Sequence, residues 1–234
     1  MLDMGRHPSG SKGREAGTHG GEEGSARRAR PARGAASAKP LTAERIRNIA
    51  EFYVGQRESS TRMLRAMLER RLMRRLRTLD PESAEEERAA AMPLIEAEVE
   101  RLTAAGVVDD ARYAGMKARS ALASGRGTLR ILRDLGQKGV TGATAEAALL
   151  GAARELTDEV SGTAEATEVL GAAELEAAEV FARKKRFGPY RTEPLPEAWA
   201  ERSRVWRREA GAMARAGFGV DTIRKVLDRE PEES

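Results

Sequence analysis

The chain has 234 residues, with 41 lysines and arginines against 37 aspartates and glutamates, a formal charge of +4; hydrophobic residues make up 40 %, charged residues 33 % and aromatics 4 %. Cysteine is absent, which excludes a disulfide scaffold, a thiol nucleophile and a cysteine-ligated zinc site; the two histidines, His7 and His19, sit in a Gly/Ser/Arg-rich leader, which excludes a histidine triad or a multi-histidine metal site in the folded part. No apolar run reaches the ~20 residues that cross a bilayer, and the N-terminus has no signal-type apolar segment, so a soluble, cytoplasmic chain with no membrane association is expected.

Residues 1–40 hold almost no large apolar side chain and cannot bury enough surface to offset ordering, so this segment is expected to be a disordered basic leader. It carries eight basic residues against four acidic ones, which accounts for the whole charge excess. Beyond it, Ala, Leu, Arg and Glu dominate and apolar spacing is helical, which predicts an all-α chain. Helices are predicted near 42–57, 60–77, 84–105, 110–123, 127–138, 142–153, 163–186, 197–215 and 220–229. Thr42, Asp109-Asp110, Thr141 and Asp221 read as N-caps, and Gly106, Gly139 and Gly217 stand where helix C-caps belong. Phe52 and Tyr113 are expected in the core, as are Trp199 and Trp206 with one polar edge, an exposed one being able to stack on bases.

Charge comes in blocks. Arg57 to Arg77, Lys117 to Lys138 and Arg183 to Arg208 are basic, separated by the acidic stretches Asp80 to Glu87 and Glu155 to Glu179. The sequence also repeats itself. Leu135, Gly139, Val140, Thr144 and Leu149 match Met213, Gly217, Phe218, Thr222 and Leu227, while Leu64 and Leu68 match Ile131 and Leu135 in an earlier copy whose return helix holds Ile95, Val99 and Leu102. This predicts three tandem three-helix repeats, winged-helix-like without strands, in an elongated, curved array, each repeat leaning on its neighbours. The expected boundaries are 41–106, with an insertion near 73–92, 107–155, and 156–230 with an extended linker, followed by a tail at 231–234.

Within the second copy, Arg126, Arg130, Arg133 and Gln137 fall within about 60° of one another on a helical wheel, opposite Ile131, Leu132 and Leu135. In the third copy Arg204, Arg207, Arg208 and Arg215 oppose Trp206, Ala210 and Met213, and in the first Arg62 and Arg65 oppose Leu64, Met67 and Leu68. Lys184 and Lys185 add a basic cluster whose bland reading is a solvated face. Guanidinium groups bind phosphate and carboxylate oxygens by a planar two-donor fork, and the link Ser124-Gly125-Arg126-Gly127 is expected to add backbone N–H donors. The pattern points to an extended polyanion or an acidic protein surface. Gly125-Arg126-Gly127 lacks the Lys and Ser/Thr of a phosphate loop, and Asp109-Asp110 at a helix start reads as a cap rather than a metal or acid/base pair. No cofactor is expected.

The stretch Gly106-Val-Val-Asp-Asp-Ala-Arg-Tyr-Ala114, with Lys117 and Arg119, running on through Ser124-Gly-Arg-Gly-Thr-Leu-Arg-Ile-Leu-Arg-Asp-Leu-Gly-Gln-Lys-Gly-Val140, resembles the RecX family of bacterial recombination regulators. Ala177 to Lys185 and Arg215 to Leu227 add weaker matches, and the resemblance runs over about residues 42–229. It departs in the first copy, which has the insertion and no clear glycine turn, and at Glu209, where the family usually has an apolar residue. The resemblance implies a non-enzymatic helical-repeat protein that lies in the groove of the RecA filament on DNA and inhibits its ATP hydrolysis, coprotease action and strand exchange. The partners so implied are the RecA filament and single- and double-stranded DNA, with the protein acting as a monomer. The site residues read from the basic faces are Arg62, Arg65, Arg126, Arg130, Arg133, Lys184, Lys185, Arg204, Arg207 and Arg208, with Gly106, Asp109, Asp110, Tyr113, Gly139 and Gly217 as the structural motif. The alternative is a helix-turn-helix transcription factor, against which stands an exposed face that is nearly all arginine and so suits backbone contact over base reading.

Overall fold

In a computed structural model, which describes residues 39–157 and 165–229, the backbone is helical throughout, with nine α-helices and no strand among the described residues. They are α1 (Ala43–Gln56), α2 (Thr61–Leu76), α3 (Pro81–Ala104), α4 (Asp110–Ala123), α5 (Thr128–Gln137), α6 (Gly142–Leu156), α7 (Ala166–Lys185), α8 (Trp199–Arg215) and α9 (Val220–Leu227), with one 3₁₀ turn at Gly188–Tyr190. The leader, most of the stretch after Thr157 and the tail at 231–234 lie outside the described residues.

The helices pack in threes: α1 to α3, α4 to α6, and α7 to α9. In each group the middle helix buries the repeated apolar position, Leu68, Leu135 or Met213, each at most 2 % exposed. Turn glycines do what their positions ask. Gly106, Gly139 and Gly217 follow α3, α5 and α8 with φ of 67°, 89° and 94°, the left-handed region where a Cβ is costly. Thr42 caps α1, Ser60 caps α2, Asp80 caps α3 and Asp109 caps α4, each side-chain oxygen accepting a first-turn N–H. Thr141 stands at the N-cap of α6 without a side-chain bond. Asp221 does not cap α9; Gly219 holds that position, and Asp221 lies in the first turn, where its charge still faces the positive end of the helix.

The stretch expected as an insertion in the first group is mostly helical, an extension of α2 and α3. α2 runs on to Leu76 through the point where the other copies turn at glycine, and α3 begins early behind Asp80 with Pro81 in its first turn. The added turns bury Leu72 and Leu76, and an Arg75–Glu87 pair at 3.0 Å closes them.

Two cores result. One belongs to the first group and is built on Ile46, Leu64, Leu68, Ile95, Val99 and Leu102. The other is shared by the second and third groups. Small side chains allow that sharing: α7 presents Ala173, Ala177, Ala178 and Ala182, all 0 % exposed, on the face packed against α6 and α4. Tyr113 is buried as expected, but Phe52 and Trp199 are not, at 71 % and 74 % exposed. Trp206 is half-buried and its indole N–H donates to Asp228 Oδ1 at 2.9 Å, the polar edge expected of it.

Candidate functional site

The acidic pair of the sequence motif divides its work. Asp109 Oδ1 accepts from the backbone N–H of Ala111 and Arg112, capping its own helix, and the N–H of Arg112 above all holds its carboxyl below the usual aspartate value. Asp110 Oδ1 accepts instead from Thr61 N at 2.7 Å, capping α2 of the preceding group. Arg112 ties the same corner with its Nε on Glu58 and its two Nη on the carbonyls of Gly106 and Val107. The glycines extend this glue. Ser60 Oγ donates to Lys138 O, and Gly127 N donates to Ala216 O at 3.1 Å; Lys138 and Ala216 each stand just before a left-handed glycine, Gly139 and Gly217. The same joint therefore recurs between first and second groups and between second and third. Glu174 of α7 reinforces the second joint by accepting from Thr128 Oγ1 and Thr222 Oγ1, both at 2.7 Å.

The joint between second and third groups gathers the basic residues. Arg126, Arg130, Lys184, Lys185 and Arg215 line one open hollow of about 400 Å³, over which the Ser124-Gly125 turn and Phe181 form the floor. Arg126 lies before the Gly127 N-cap, so helical spacing does not put it beside Arg130. A shared carboxylate does: Asp134 Oδ2 meets Arg126 Nη1 at 2.7 Å and Oδ1 meets Arg130 Nε at 2.9 Å. One negative charge against two leaves the cluster positive. Lys184 Nζ donates to Ser124 O at 3.0 Å, which brings the end of α7 against the link. Lys185 also lines a neighbouring hollow with Arg208, so the basic surface continues along α8, where Arg204, Arg208 and Arg215 share one face. Arg133 lies one turn beyond Arg130, exposed. Arg207 is exposed but its Nε is spent on Ser203 O. Cations at the end of α7 (Arg183, Lys184, Lys185) also sit favourably against the negative helix terminus.

Two expectations change. The link 124–127 offers no backbone donors: the N–H groups of Ser124, Gly125, Arg126 and Gly127 go to Ser120, Leu122, Ala121 and Ala216 carbonyls. Anion binding here therefore rests on side chains. The first group does not present an open row either. Arg65 is half-buried in a bidentate pair with Glu96, Nη2 to Oε2 at 2.6 Å, which raises its pKa further, and the stem of Arg62 packs over Gly139 in the joint. Arg215 falls in the arginine row expected of α8, whereas the roles of Ser60, Asp134 and Glu174 leave no signal along the chain beyond the Arg130–Asp134 spacing of four.

A family model described as "RecX, second three-helix domain" matches residues 109–149, the stretch from the α4 cap into α6. Over 186 residues the chain is 32 % identical to Regulatory protein RecX of Myxococcus xanthus, covering 80 % of this chain and 86 % of that one. This chain belongs to the RecX family. It is also 30 % identical over 189 residues to Regulatory protein RecX of Agrobacterium fabrum, covering 80 % and 84 % of the two chains. The fold is similar to the crystal structure of RecX from Lactobacillus salivarius, with a TM-score of 0.51 at 17 % identity over 80 % of this chain and 94 % of that one. A second crystal structure of regulatory protein RecX gives the same TM-score and identity over 72 % of its length. Among the described residues no helix is long and apolar enough to cross a membrane. In this RecX chain the start of the matched stretch, Asp109 to Arg112, is chiefly a fastening between modules, while Arg126 and Arg130, later in the same stretch, meet Lys184, Lys185 and Arg215 at the next joint.

Proposed function

We propose that the chain binds the RecA filament and the DNA it carries, as a cytoplasmic, non-enzymatic monomer, and restrains the filament's ATP hydrolysis, strand exchange and coprotease action. The observation that carries the reading is the cluster of Arg126, Arg130, Lys184, Lys185 and Arg215 drawn from three helices of two modules to one hollow, with a single carboxylate among them at Asp134. Such a surface suits phosphate or carboxylate oxygens and not a buried small molecule. Arg208 and Arg204 extend it along α8, giving the length that a filament groove or a nucleic-acid backbone requires.

The test is purified RecA on single-stranded DNA with the protein added below stoichiometry. Falling rates of ATP hydrolysis and strand exchange are expected; unchanged rates overturn the reading. With DNA alone, affinity is expected to fall steeply with salt and to differ little between scrambled duplexes. Replacing Arg126, Arg130 and Arg133 together by alanine should weaken binding at undiminished helicity and flatten the salt slope by about one per lost phosphate contact.

A further inference from the structure

A second surface, in the first module and remote in sequence from the basic strip, has different chemistry. One face of α1 carries Arg45, Asn48, Phe52, Tyr53 and Gln56, and together with Arg57 at the C-cap of α1 and Arg71 of α2 these line an open hollow of about 520 Å³ with no carboxylate in its lining. Phe52 is 71 % exposed and belongs neither to the module's core nor to the side chains packed on it, so folding gives no reason for an aromatic ring there. Beside it the Arg57 guanidinium lies over the Tyr53 ring, 5.6 Å from its centroid.

We propose that this cleft is a stacking site for the bases of single-stranded nucleic acid. An open aromatic face, a second ring already beneath a guanidinium, and arginines with no ion pair among the described residues form the combination that holds a stripped strand: bases stack on rings and guanidinium planes while cations meet the phosphates. Asn48 and Gln56, at either end of the face, supply donors and acceptors for base edges. A duplex keeps its base faces covered, so the cleft selects single strands, whereas the arginine strip, binding oxygens, does not. An acidic peptide would satisfy the arginines but leave Phe52 without a planar partner. The inference goes beyond the phosphate-binding reading and stands without it.

The experiment measures fluorescence anisotropy of the full-length protein with three labelled probes: a thymidine oligonucleotide of about 20 nucleotides, long enough for one binding site, an abasic strand of the same length, and a duplex. Phe52→Ala and the apolar-conserving Phe52→Leu are expected to weaken oligothymidine binding about tenfold or more, leave the abasic strand and the duplex within about twofold, and be rescued by Phe52→Trp. Arg126→Ala with Arg130→Ala should instead weaken all three probes alike, so failure of the strip and failure of the cleft give different patterns. Unchanged oligothymidine binding in the Phe52 variants or an equal loss on all three probes overturns the proposal, as does a loss in those variants confined to a labelled poly-glutamate peptide run as a fourth probe.

Discussion

A carboxylate at 209 stands in the repeat position that Ile131 and Leu64 fill in the other two modules, and it is just as deeply buried, at 1 % exposed. Its oxygens are all engaged: Arg191 Nη2 lies 2.6 Å from Oε2 and its Nε 3.0 Å from Oε1, while Gly188 N donates to Oε2 at 3.0 Å. The departure at 209 is thus a fastening for the α7–α8 connection. Arg191→Ala leaves that buried charge only the Gly188 N–H and Arg208 Nη2 at 3.9 Å and is expected to lower stability by about 3 kcal/mol, whereas Arg191→Ala with Glu209→Leu recovers most of the loss; urea unfolding of the single and double variants checks it. Asp109 sets an acid limit. Its folded pKa is depressed, so the cap contributes above the ordinary carboxylate value and is lost as pH falls through the lower, folded one. Thermal melts of Asp109→Ala against the parent should therefore converge as pH drops below about 4.

Helix ends fasten the array at both joints, beside the core that the second and third modules share. In both joints the N-cap residue of a middle helix, Ser60 or Gly127, donates to the carbonyl before the next module's left-handed glycine. Gly127 and Gly217 press together so closely that a Cβ on Gly127 would strike the Gly217 backbone, and one on Gly217 would strike that of Arg130. Gly217→Ala adds that clash to the cost of a left-handed alanine, so a loss of more than about 2 kcal/mol is expected, against about 1 kcal/mol for Gly142→Ala, which is left-handed but meets nothing. Equal unfolding midpoints for the two variants would show that the joint tolerates separation. The outer modules lack one partner face each: α2 of the first runs through the glycine-turn position, and α8 of the third is extended past the cap position.

Binding by the assembled chain depends on how much positive charge survives internal pairing. Asp134 holds Arg126 and Arg130 in place but also offsets one of them. Asp134→Asn is expected to strengthen binding to DNA at low salt and to steepen the salt dependence by about one unit; isothermal titration over a salt series reads both. A weaker complex would mean that Asp134 acts mainly by ordering the two guanidiniums, and that order outweighs charge.

The helices, the caps at Thr42 and Asp109, the left-handed glycines 106, 139 and 217 and the three-fold repeat are legible along the chain, because each follows from bonds and dihedrals within a few residues; the cap expected at Asp221 is not formed. Openness of a side chain is not legible, because it depends on partners distant in sequence. Arg65 and Arg133 occupy similar places in their patterns, yet Glu96 claims Arg65 from 31 residues away, while Arg133 stays exposed. Burial of Phe52 and Trp199 is not legible for the same reason: an apolar residue on a helix predicts a contact only if another element arrives to cover it, and at these two positions none of the described elements does. The meeting of Arg126, Lys184 and Arg215 likewise arises from the packing of α7 on the second module, an arrangement fixed by alanine-sized gaps and not by any local signal.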